Sequence, residues 1–317
     1  MTLRERLRER AGGHHVRLVM PEGDDPRIQA AARTLEALGI ADVTLLTLTN
    51  APDLEDPRTR AVAESLRARR PHVVRDGVHA LELASDPLRF AAGLVGIGAM
   101  DGCVAGAVHP SGDVVRAALW AIGMRPGIGS VSAAMYHGFH DGRILTYTDV
   151  AVIPTPTPDA MADAASAAVQ DRRALLGDEP VVAFLSFSTR GSASGAEVDR
   201  VRTGFERFRE RYPDVRADGE LQLDAALVPE VALCKCPASP VAGQANILVF
   251  PSLDAANIGY KLTERLAGAT AAGPLLQGLA RPMSDLSRGA STDDIVDVAA
   301  MVALQARDTS IRPVQEP

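Results

Sequence analysis

The alternation of short apolar runs with helical patterns constrains the fold of this chain more than any other feature. The run HVRLVM is followed by DPRIQAAARTLEALGI, in which Asp25 suits a helix N-cap, Pro26 the first turn and Gly39 the end. The pairs CVAGAV with HPSGDVVRAALWAIG, and PVVAFLSF with AEVDRVRTGFERFRERYP, repeat this order. Such alternation predicts an α/β fold with mostly parallel sheets joined by crossover helices.

Length and charge narrow the class of protein. The 317 residues are enough for two domains or one large α/β unit with a sizeable core. The net charge of −7 argues against sequence-independent binding to nucleic acid or anionic membranes, but it leaves room for a local basic pocket that binds a phosphorylated small molecule. The amino terminus MTLRERLRER predicts a short charged helix rather than a signal peptide, so we expect a cytoplasmic protein.

Three cysteines give no sign of a metal or disulfide site. Cys234 and Cys236 form a C-x-C pair and Cys103 stands alone, and neither a further cysteine nor a histidine cluster completes a zinc-type spacing. We expect free thiols and no bound metal.

The segment STRGSAS, residues 188–194, follows an apolar strand and precedes a helix. Small residues at this position expose backbone N–H groups, which favour an anion, and Arg190 would add a positive charge. Ser188, Thr189, Arg190 and Gly191 are therefore candidates for phosphate binding. An ordinary strand-to-helix loop is an equally good interpretation of the same residues.

Two further polar segments lie in the second half of the chain. In DGELQLDAALVPEVA the carboxylates of Asp218, Glu220, Asp224 and Glu230 could bind a metal or do acid–base work, but the spacing is more typical of a solvated face. In SPVAGQANILVFPSLDAANIGYK a strand is followed by Asn257, which we expect at the opening of a helix, where it suits a ligand crevice.

The segment SDLSRGASTDDI, residues 284–295, combines a hydroxyl, a guanidinium and carboxylates. Ser291 and Asp294 have the spacing of a capping box, and the apolar residues that follow have helical periodicity. This interpretation leaves Ser287 and Arg288 unexplained. Because Arg288 precedes the positive end of the predicted helix, a phosphate there would meet both charge and N–H donors.

Several blocks together resemble one known family. MPEGDDPR, LSFSTRGSA, DGELQLDAALVPEVA, SPVAGQANILVFP, NIGYKL and GPLLQGLARPMSDLSRGAS are similar, in this order, to the short form of phosphate acetyltransferase (phosphotransacetylase). The resemblance implies two α/β domains of the isocitrate/isopropylmalate-dehydrogenase-like type with an interdomain cleft, one formed by residues 1–128 plus 284–317 and the other by residues 129–283. It also implies a homodimer, and the reaction acetyl-CoA + phosphate ⇌ CoA + acetyl phosphate without a metal or other cofactor.

The resemblance also implies roles for individual residues. Ser287 and Arg288 match the family's Ser-Arg pair, and Asp294 matches its catalytic aspartate. The arginines that match family positions for coenzyme A and the cleft are Arg67, Arg116 and Arg265. Asp294 would then be the general base for the coenzyme A thiol, Ser287 a hydrogen-bond donor to the carbonyl oxygen, and Arg288 the ligand of the phosphate.

Three alternatives remain open at this point. Departures from the family pattern at Thr146, Tyr147 and Ala256 could alter the acyl pocket and favour propionyl or butyryl groups. An NAD- and metal-dependent decarboxylating dehydrogenase would share the fold, but no G-x-G-x-x-G motif is present. A non-catalytic acyl-CoA sensor is the third alternative, although retention of Ser287, Arg288 and Asp294 argues against it.

Overall fold

The computed structural model describes residues 1–50, 52–241 and 243–308, and within them the chain divides into two compact units. Unit A contains Leu7–Gly127 and the chain from Leu279 onward, and unit B contains Met1–Arg6 and Ile128–Gly278. The predicted domains, residues 1–128 plus 284–317 and residues 129–283, stay a prediction, because packing alone does not show that either unit folds independently.

Helices and strands alternate along most of the chain, as predicted. The helices are α1 (Leu3–Ala11), α2 (Pro26–Ala37), α3 (Pro57–Arg69), α4 (Gly77–Ala84), α5 (Pro87–Gly96), α6 (Ser111–Ala121), α7 (Pro158–Leu176), α8 (Ala196–Arg211), α9 (Leu223–Leu227), α10 (Pro229–Lys235), α11 (Leu253–Leu266) and α12 (Thr292–Arg307). The strands are β1 (Val16–Met20), β2 (Ala41–Leu45), β3 (Gly102–Ala105), β4 (Ser132–Gly138), β5 (Ile144–Thr148), β6 (Val181–Leu185), β7 (Arg216–Leu221), β8 (Ile247–Val249), β9 (Thr270–Gln277) and β10 (Met283–Asp285).

Unit A is built on a four-stranded parallel sheet of order β10-β3-β1-β2. The predicted start of α2 is confirmed, because the Asp25 side chain accepts the N–H of Arg27 and Pro26 occupies the first turn. The capping box of α12 is also confirmed between Ser291 and Asp294. Since residues 295–306 of α12 are all buried, this helix is a central element of the unit.

Unit B has a six-stranded sheet of order β7-β6-β8-β5-β4-β9. The strands from β7 to β5 are parallel, as predicted, but β4 runs antiparallel to both of its neighbours. The sequence analysis missed this reversal. A tight turn at residues 139–143 joins β4 to β5, with the N–H of Phe139 bound to the carbonyl oxygen of Arg143 at 2.9 Å. A turn this short permits only antiparallel pairing.

The helix after β8 begins earlier than predicted. Ser252 caps α11 by accepting the N–H of Ala255, and the helix starts at Leu253. The expectation that Asn257 opens this helix was therefore wrong, because Asn257 lies within it. A serine followed by an acidic residue in the first turn is the stronger start signal.

Among the described residues, no helix is both long and apolar enough to cross a membrane.

An aromatic cluster lies at the centre of unit B. Phe184 on β6 is fully buried, and its ring centroid lies 5.9 Å from that of Phe205 and 5.7 Å from that of Phe208, both on α8. Tilted aromatic pairs at these distances add to the stabilisation from area burial. The cluster fixes α8 against the sheet and thereby positions the loop that joins β6 to α8.

Phe184→Ala should destabilise the protein by about 3–5 kcal/mol, because a large apolar side chain is lost and a cavity remains. Urea unfolding followed by far-UV circular dichroism measures this free energy. Phe187→Ala is the matched control, since Phe187 lies just beyond the same strand with 62% of its surface exposed, and it should change stability by less than about 0.5 kcal/mol. Equal effects of the two substitutions would contradict the packing described here.

Candidate active site

Two loops of unit A lie side by side at the carboxyl edge of its parallel sheet. β10 pairs with β3, Asp285 opposite Ala105, and the N–H of Leu286 donates to the carbonyl oxygen of Ala105 at 2.7 Å. A Cβ added to Gly106, whose φ is +109°, would lie 2.3 Å from the Asp285 carboxylate. Only glycine permits this approach. The loop after β3 (the 106–109 loop) and the loop after β10 (the 286–290 loop) are therefore neighbours.

The 106–109 loop is built around the buried carboxylate of Glu22, which follows β1. One carboxylate oxygen, Oε2, accepts the N–H groups of Gly106 and Ala107 at 2.9 and 2.8 Å. The other, Oε1, accepts those of Val108 and His109 at 2.9 and 2.8 Å. Burial raises the pKa of Glu22, but the hydrogen bonds from His109 and the backbone outweigh it and hold the pKa below its ordinary value.

His109 completes this arrangement with its side chain. Its Nδ1 lies 2.7 Å from Oε1 of Glu22, and because that carboxylate is ionised, Nδ1 carries the hydrogen. The hydrogen bond to Glu22 raises the pKa of His109 above its ordinary value, against the opposing effect of burial. Glu22 and His109 therefore form a hydrogen-bonded carboxylate–imidazole pair, in which the carboxylate is buried and the imidazole is partly exposed.

Arg27 joins the two loops through backbone carbonyls. Its guanidinium donates to the carbonyl oxygens of Arg288 and Ala290, both at 2.9 Å, and to that of Ala107 at 3.1 Å. An ion pair with Asp25 at 2.7 Å holds the guanidinium in place. The conformation of the 286–290 loop thus depends on the first helix turn after β1.

The three predicted catalytic residues all lie in unit A, within or just after the 286–290 loop. Ser287 and Arg288 are exposed, and Ser287 Oγ accepts the N–H of Gly289 at 3.3 Å. Asp294 is half-buried, and its Oδ2 accepts from the N–H and Oγ of Ser291 at 3.0 and 2.8 Å. The structural role of Asp294 is therefore observed, and its catalytic role stays a prediction.

Two predicted coenzyme A arginines also belong to unit A. Arg67, exposed near the end of α3, lines an apolar groove of about 450 Å³ with residues of α3 and α4. Arg116 on α6 forms an ion pair with Asp113 at 2.7 Å and lines a polar pocket of about 140 Å³ together with His109 and Arg89. Their contact with coenzyme A stays a prediction.

In unit B, the predicted phosphate-binding loop uses its polar groups internally. The N–H of Gly191 donates to Glu220 at 2.8 Å, and that of Thr189 to Ser192 Oγ at 2.9 Å. Ser188 Oγ donates to Glu220 at 2.9 Å. An anion would have to replace Glu220 as acceptor. Phosphate binding by Ser188, Thr189, Arg190 and Gly191 stays a prediction.

The solvated acidic face predicted for residues 218–232 is wrong for two of its carboxylates. Asp218 and Glu220 are 1% and 2% exposed, and they pair with Arg190 at 3.0 Å and Arg202 at 3.2 Å. The burial of β7 explains the error, because residues 218–221 of this edge strand are all covered, and a buried carboxylate needs a partner other than water. Asp224 and Glu230, beyond this strand, are exposed or half-exposed.

The remaining predicted residues of unit B lie on α11. Asn257 is half-buried, and Arg265 in the last turn is largely exposed, 3.4 Å from Glu264. Thr146, Tyr147 and Ala256, where the acyl pocket was expected to differ, are buried, and Thr146 accepts a hydrogen bond from Arg172 at 3.0 Å.

No group of three potential metal ligands occurs in the described part of the chain. Cys103, Cys234 and Cys236 are free thiols, of which only Cys234 is exposed.

Sequence reasoning missed Glu22, Arg27, His109 and Asp285. The signals were present in MPEGDDPR and HPSGDVVRA, but a single glutamate or histidine in a loop has no periodicity to mark it.

Asp285 is 7% exposed, its Oδ1 has no hydrogen-bond partner, and burial raises its pKa to about 6.

Comparison with known proteins identifies the family. The family model for phosphate acetyl/butaryl transferase matches residues 2–303. The chain belongs to this family. It is 40% identical to the phosphate acetyltransferase of Thermoanaerobacterium thermosaccharolyticum, over 97% of this chain and 100% of that one. The crystal structure of a phosphotransacetylase from Streptococcus pyogenes is 36% identical with a TM-score of 0.87, over 96% of this chain and 98% of that one.

A second solved structure, EutD phosphotransacetylase from Staphylococcus aureus, is 34% identical with a TM-score of 0.86, over 96% of this chain and 98% of that one. Membership of the phosphate acetyl/butaryl transferase family confirms the resemblance stated from the sequence motifs, and with it the assignment to the acyltransferases. Similarity along almost the whole chain also confirms the fold class.

Within this member of the phosphate acetyl/butaryl transferase family, Glu220 should stabilise unit B in a pH-dependent way. Burial raises the pKa of Glu220, but Arg202, the Gly191 N–H and Ser188 outweigh it, so the folded-state pKa is lowered. The stabilisation is therefore present above the unfolded value of about 4.3 and is lost as pH falls through the folded value. Glu220→Gln should cost about 1–3 kcal/mol at pH 7.

Thermal unfolding between pH 3 and pH 7 tests this expectation. The difference in Tm between the wild type and Glu220→Gln should shrink as the pH falls. Glu210→Gln, an exposed position on the same α8, is the control and should follow the wild type throughout. A difference in Tm that is constant with pH would contradict the role of the Glu220 charge.

Proposed function

We propose that the protein catalyses acetyl-CoA + phosphate ⇌ CoA + acetyl phosphate. The observation that carries this proposal is the 286–290 loop, which presents exposed Ser287 and Arg288 next to the helix start that holds Asp294. The similarity to phosphate acetyltransferases along the whole chain supports the same reaction. The substrates are then coenzyme A and acetyl phosphate in one direction and acetyl-CoA and phosphate in the other.

The chemistry starts at the coenzyme A thiol, which becomes a strong nucleophile only as the thiolate. Asp294 accepts the thiol proton, and the thiolate attacks the carbonyl carbon of acetyl phosphate. Ser287 donates a hydrogen bond to the oxygen on which negative charge develops, and one such donor is typically worth about 3 kcal/mol. Both substrates are bound together, so positioning supplies much of the rate and no covalent acyl-enzyme forms.

Arg288 binds the phosphoryl group by charge-assisted hydrogen bonds, and the exposed guanidinium is free to reorient toward it. Arg67, Arg116 and Arg265 bind the phosphates of coenzyme A, and Ser188, Thr189, Arg190, Gly191 and Asn257 contribute further substrate contacts. The reaction as written needs no metal or redox cofactor. We also propose a cytoplasmic location, because coenzyme A thioesters are made and consumed there.

The first test is thioester formation from acetyl phosphate and coenzyme A in chelator-treated, nucleotide-free buffer. We expect turnover by the wild type, a fall in kcat of about 10²–10³-fold in Ser287→Ala with a smaller change in KM, and a raised KM for acetyl phosphate in Arg288→Ala. Butyryl phosphate run alongside separates the acetyl activity from a longer-chain one. Coenzyme A binding without turnover would instead indicate a sensor.

Two variants of the capping box separate the structural and catalytic roles of Asp294. Ser291→Ala removes the cap and should cost about 1 kcal/mol of stability while much of the activity remains. Asp294→Asn should abolish most of the turnover and flatten the acid limb of the pH–rate profile. Wild-type turnover in Asp294→Asn would mean that Asp294 only caps α12 and that another group is the base.

We further propose that the protein is a homodimer that associates through α11. Ile258, Leu262 and Leu266 are spaced by four residues and are 60%, 51% and 80% exposed, so they form an apolar stripe along one face of this helix. Of the residues of α11, only Ala256 is buried. An exposed stripe of this kind suits a second copy of the same surface packed across a two-fold axis.

Sedimentation equilibrium tests the dimer. The wild type should sediment at twice the monomer mass, and Leu262→Arg should shift it toward the monomer, because a charge would be buried without a partner. Leu48→Arg is the matched control, since Leu48 is 88% exposed in unit A and should leave the dimer intact. A dimeric Leu262→Arg would place the interface elsewhere.

A further inference from the structure

The proposed reaction leaves one proton unassigned, and this inference rests on that reaction. When the carbon–oxygen bond of acetyl phosphate breaks, its electron pair goes to the phosphate oxygen. Without a proton this leaving group is the phosphate trianion, a strong base and hence a poor leaving group near neutral pH. Asp294, as the base that takes the thiol proton, cannot donate a proton at the same moment. A general acid is therefore needed at the phosphate.

We propose that His109, held by Glu22, is the general acid that protonates the departing phosphate. Nδ1–H is committed to Glu22 at 2.7 Å, which leaves Nε2–H as the ring group that can face a substrate. The side chain of His109 is 32% exposed, whereas that of Glu22 is only 2% exposed. A buried carboxylate that orients a half-exposed imidazole fixes its tautomer and favours its charged form.

The position of His109 within unit A supports this role. It belongs to the 106–109 loop, which lies beside the 286–290 loop because β3 and β10 are adjacent parallel strands. Arg27 links the two loops, since one guanidinium binds the carbonyl oxygens of Ala107 and Arg288. The imidazole and the residue proposed to bind the phosphoryl group are thus carried by two loops that are fixed to each other.

The electrostatic surroundings favour a charged imidazole. Besides Glu22, the carboxylates of Asp86 at the start of α5 and Asp113 on α6 raise the pKa of His109. Arg89 and Arg116 line the same small pocket and oppose them. Asp285 interacts electrostatically with Glu22. The hydrogen bond to Glu22 and the nearby carboxylates outweigh burial and raise the pKa of His109, which favours the protonated ring that a general acid requires.

The proposed step conserves protons and electron pairs. The thiol proton moves to Asp294, the carbon–sulfur bond forms, and the carbon–oxygen bond to the phosphate breaks. The phosphate oxygen takes the proton from Nε2 of His109 and leaves as hydrogen phosphate. Asp294 then loses its proton to water and His109 regains one, which restores both groups. In the reverse direction neutral His109 accepts the proton of hydrogen phosphate as it attacks acetyl-CoA.

Steady-state kinetics of thioester formation in His109→Gln tests the proposal. The glutamine amide is a neutral hydrogen-bond donor and supplies no acidic proton. We expect kcat to fall by about 10²-fold or more with both KM values within about threefold of the wild type. At acid pH, where acetyl phosphate enters already protonated, the deficit should shrink. His72→Gln, an exposed histidine on a turn of unit A, is the control and should behave as the wild type.

The pH dependence of kcat provides a readout that loss of structure would not mimic. In the wild type kcat should fall as the pH rises through the folded-state pKa of His109, and this basic limb should vanish in His109→Gln. Glu22→Gln removes the anion that raises the pKa of His109, so the limb should move to lower pH. Titration of the His109 ring by NMR should show the same downward shift, independently of activity.

Three outcomes would overturn the proposal. The first is a kcat of His109→Gln within about threefold of the wild-type value. The second is a raised KM in His109→Gln with the basic limb of its pH–kcat profile unchanged, which would make His109 a binding residue only. If the wild type turns over acetyl phosphate and Ser287→Ala does not, the proposed function survives either result. The third outcome is a wild type without any turnover, in which case the proposed function fails and the role of His109 fails with it.

Discussion

The carboxylate of Glu22 is the interaction on which the site in unit A depends. It is buried, and it accepts hydrogen bonds from four successive backbone N–H groups and from one imidazole. A buried carboxylate without such partners would be costly, and four N–H groups turned inward without an acceptor would be costly as well. The carboxylate and the four N–H groups therefore satisfy each other's need for a hydrogen-bond partner. The 106–109 loop therefore has one stable conformation, to which Arg27 and the 286–290 loop are attached.

The same device recurs in unit B. Glu220 accepts from the N–H of Gly191 and the hydroxyl of Ser188 and thereby fixes the loop after β6. Asp149 accepts the N–H groups of Ala133, Ala151, Val152 and Ile153 around the end of β5. In each case an acidic side chain near the carboxyl end of a strand takes the place of a missing backbone acceptor. Charged hydrogen bonds thus hold these loops, and after β6 they add to the apolar packing of α8 against the sheet.

Most of the fold could be predicted from the sequence, because its elements are marked by local signals. The caps at Asp25 and Ser291 and the apolar periodicity of α12 were sufficient to place those helices. The reversal at β4 was missed because strand–helix alternation does not reveal it, although the Asp141-Gly142 pair in the turn at residues 139–143 is a hairpin signal in the sequence. The start of α11 was misplaced because the polar Asn257 segment was taken as the helix opening, although the Ser252 cap and the acidic residue after it are the stronger signal.

The candidate site likewise contains some residues that the sequence makes visible and others that only the fold brings together. Ser287, Arg288 and Asp294 stand within eight residues of one another, so their pattern is visible in the sequence. Glu22 and His109 are 87 residues apart and meet only because β1 and β3 are adjacent strands. The burial of Asp218 and Glu220 was missed for a related reason, because their arginine partners, Arg190 and Arg202, come from other elements. Side chains that are brought together by the order of the strands, and not by their spacing in the sequence, cannot be found from sequence motifs.

Unit A is formed by two stretches of chain that are separated by most of unit B, and this order has a consequence for biosynthesis. Its last strand, β10, and its most buried helix, α12, are translated only after all of unit B. Until then β3 is an open sheet edge and the apolar surface that α12 covers is unprotected, both of which favour association with other chains. Unit B, by contrast, has all of its strands before β10 emerges. A nascent chain therefore completes the SRGAS segment and then α12 only after all of unit B, and until that point its own fold does not cover the edge of β3.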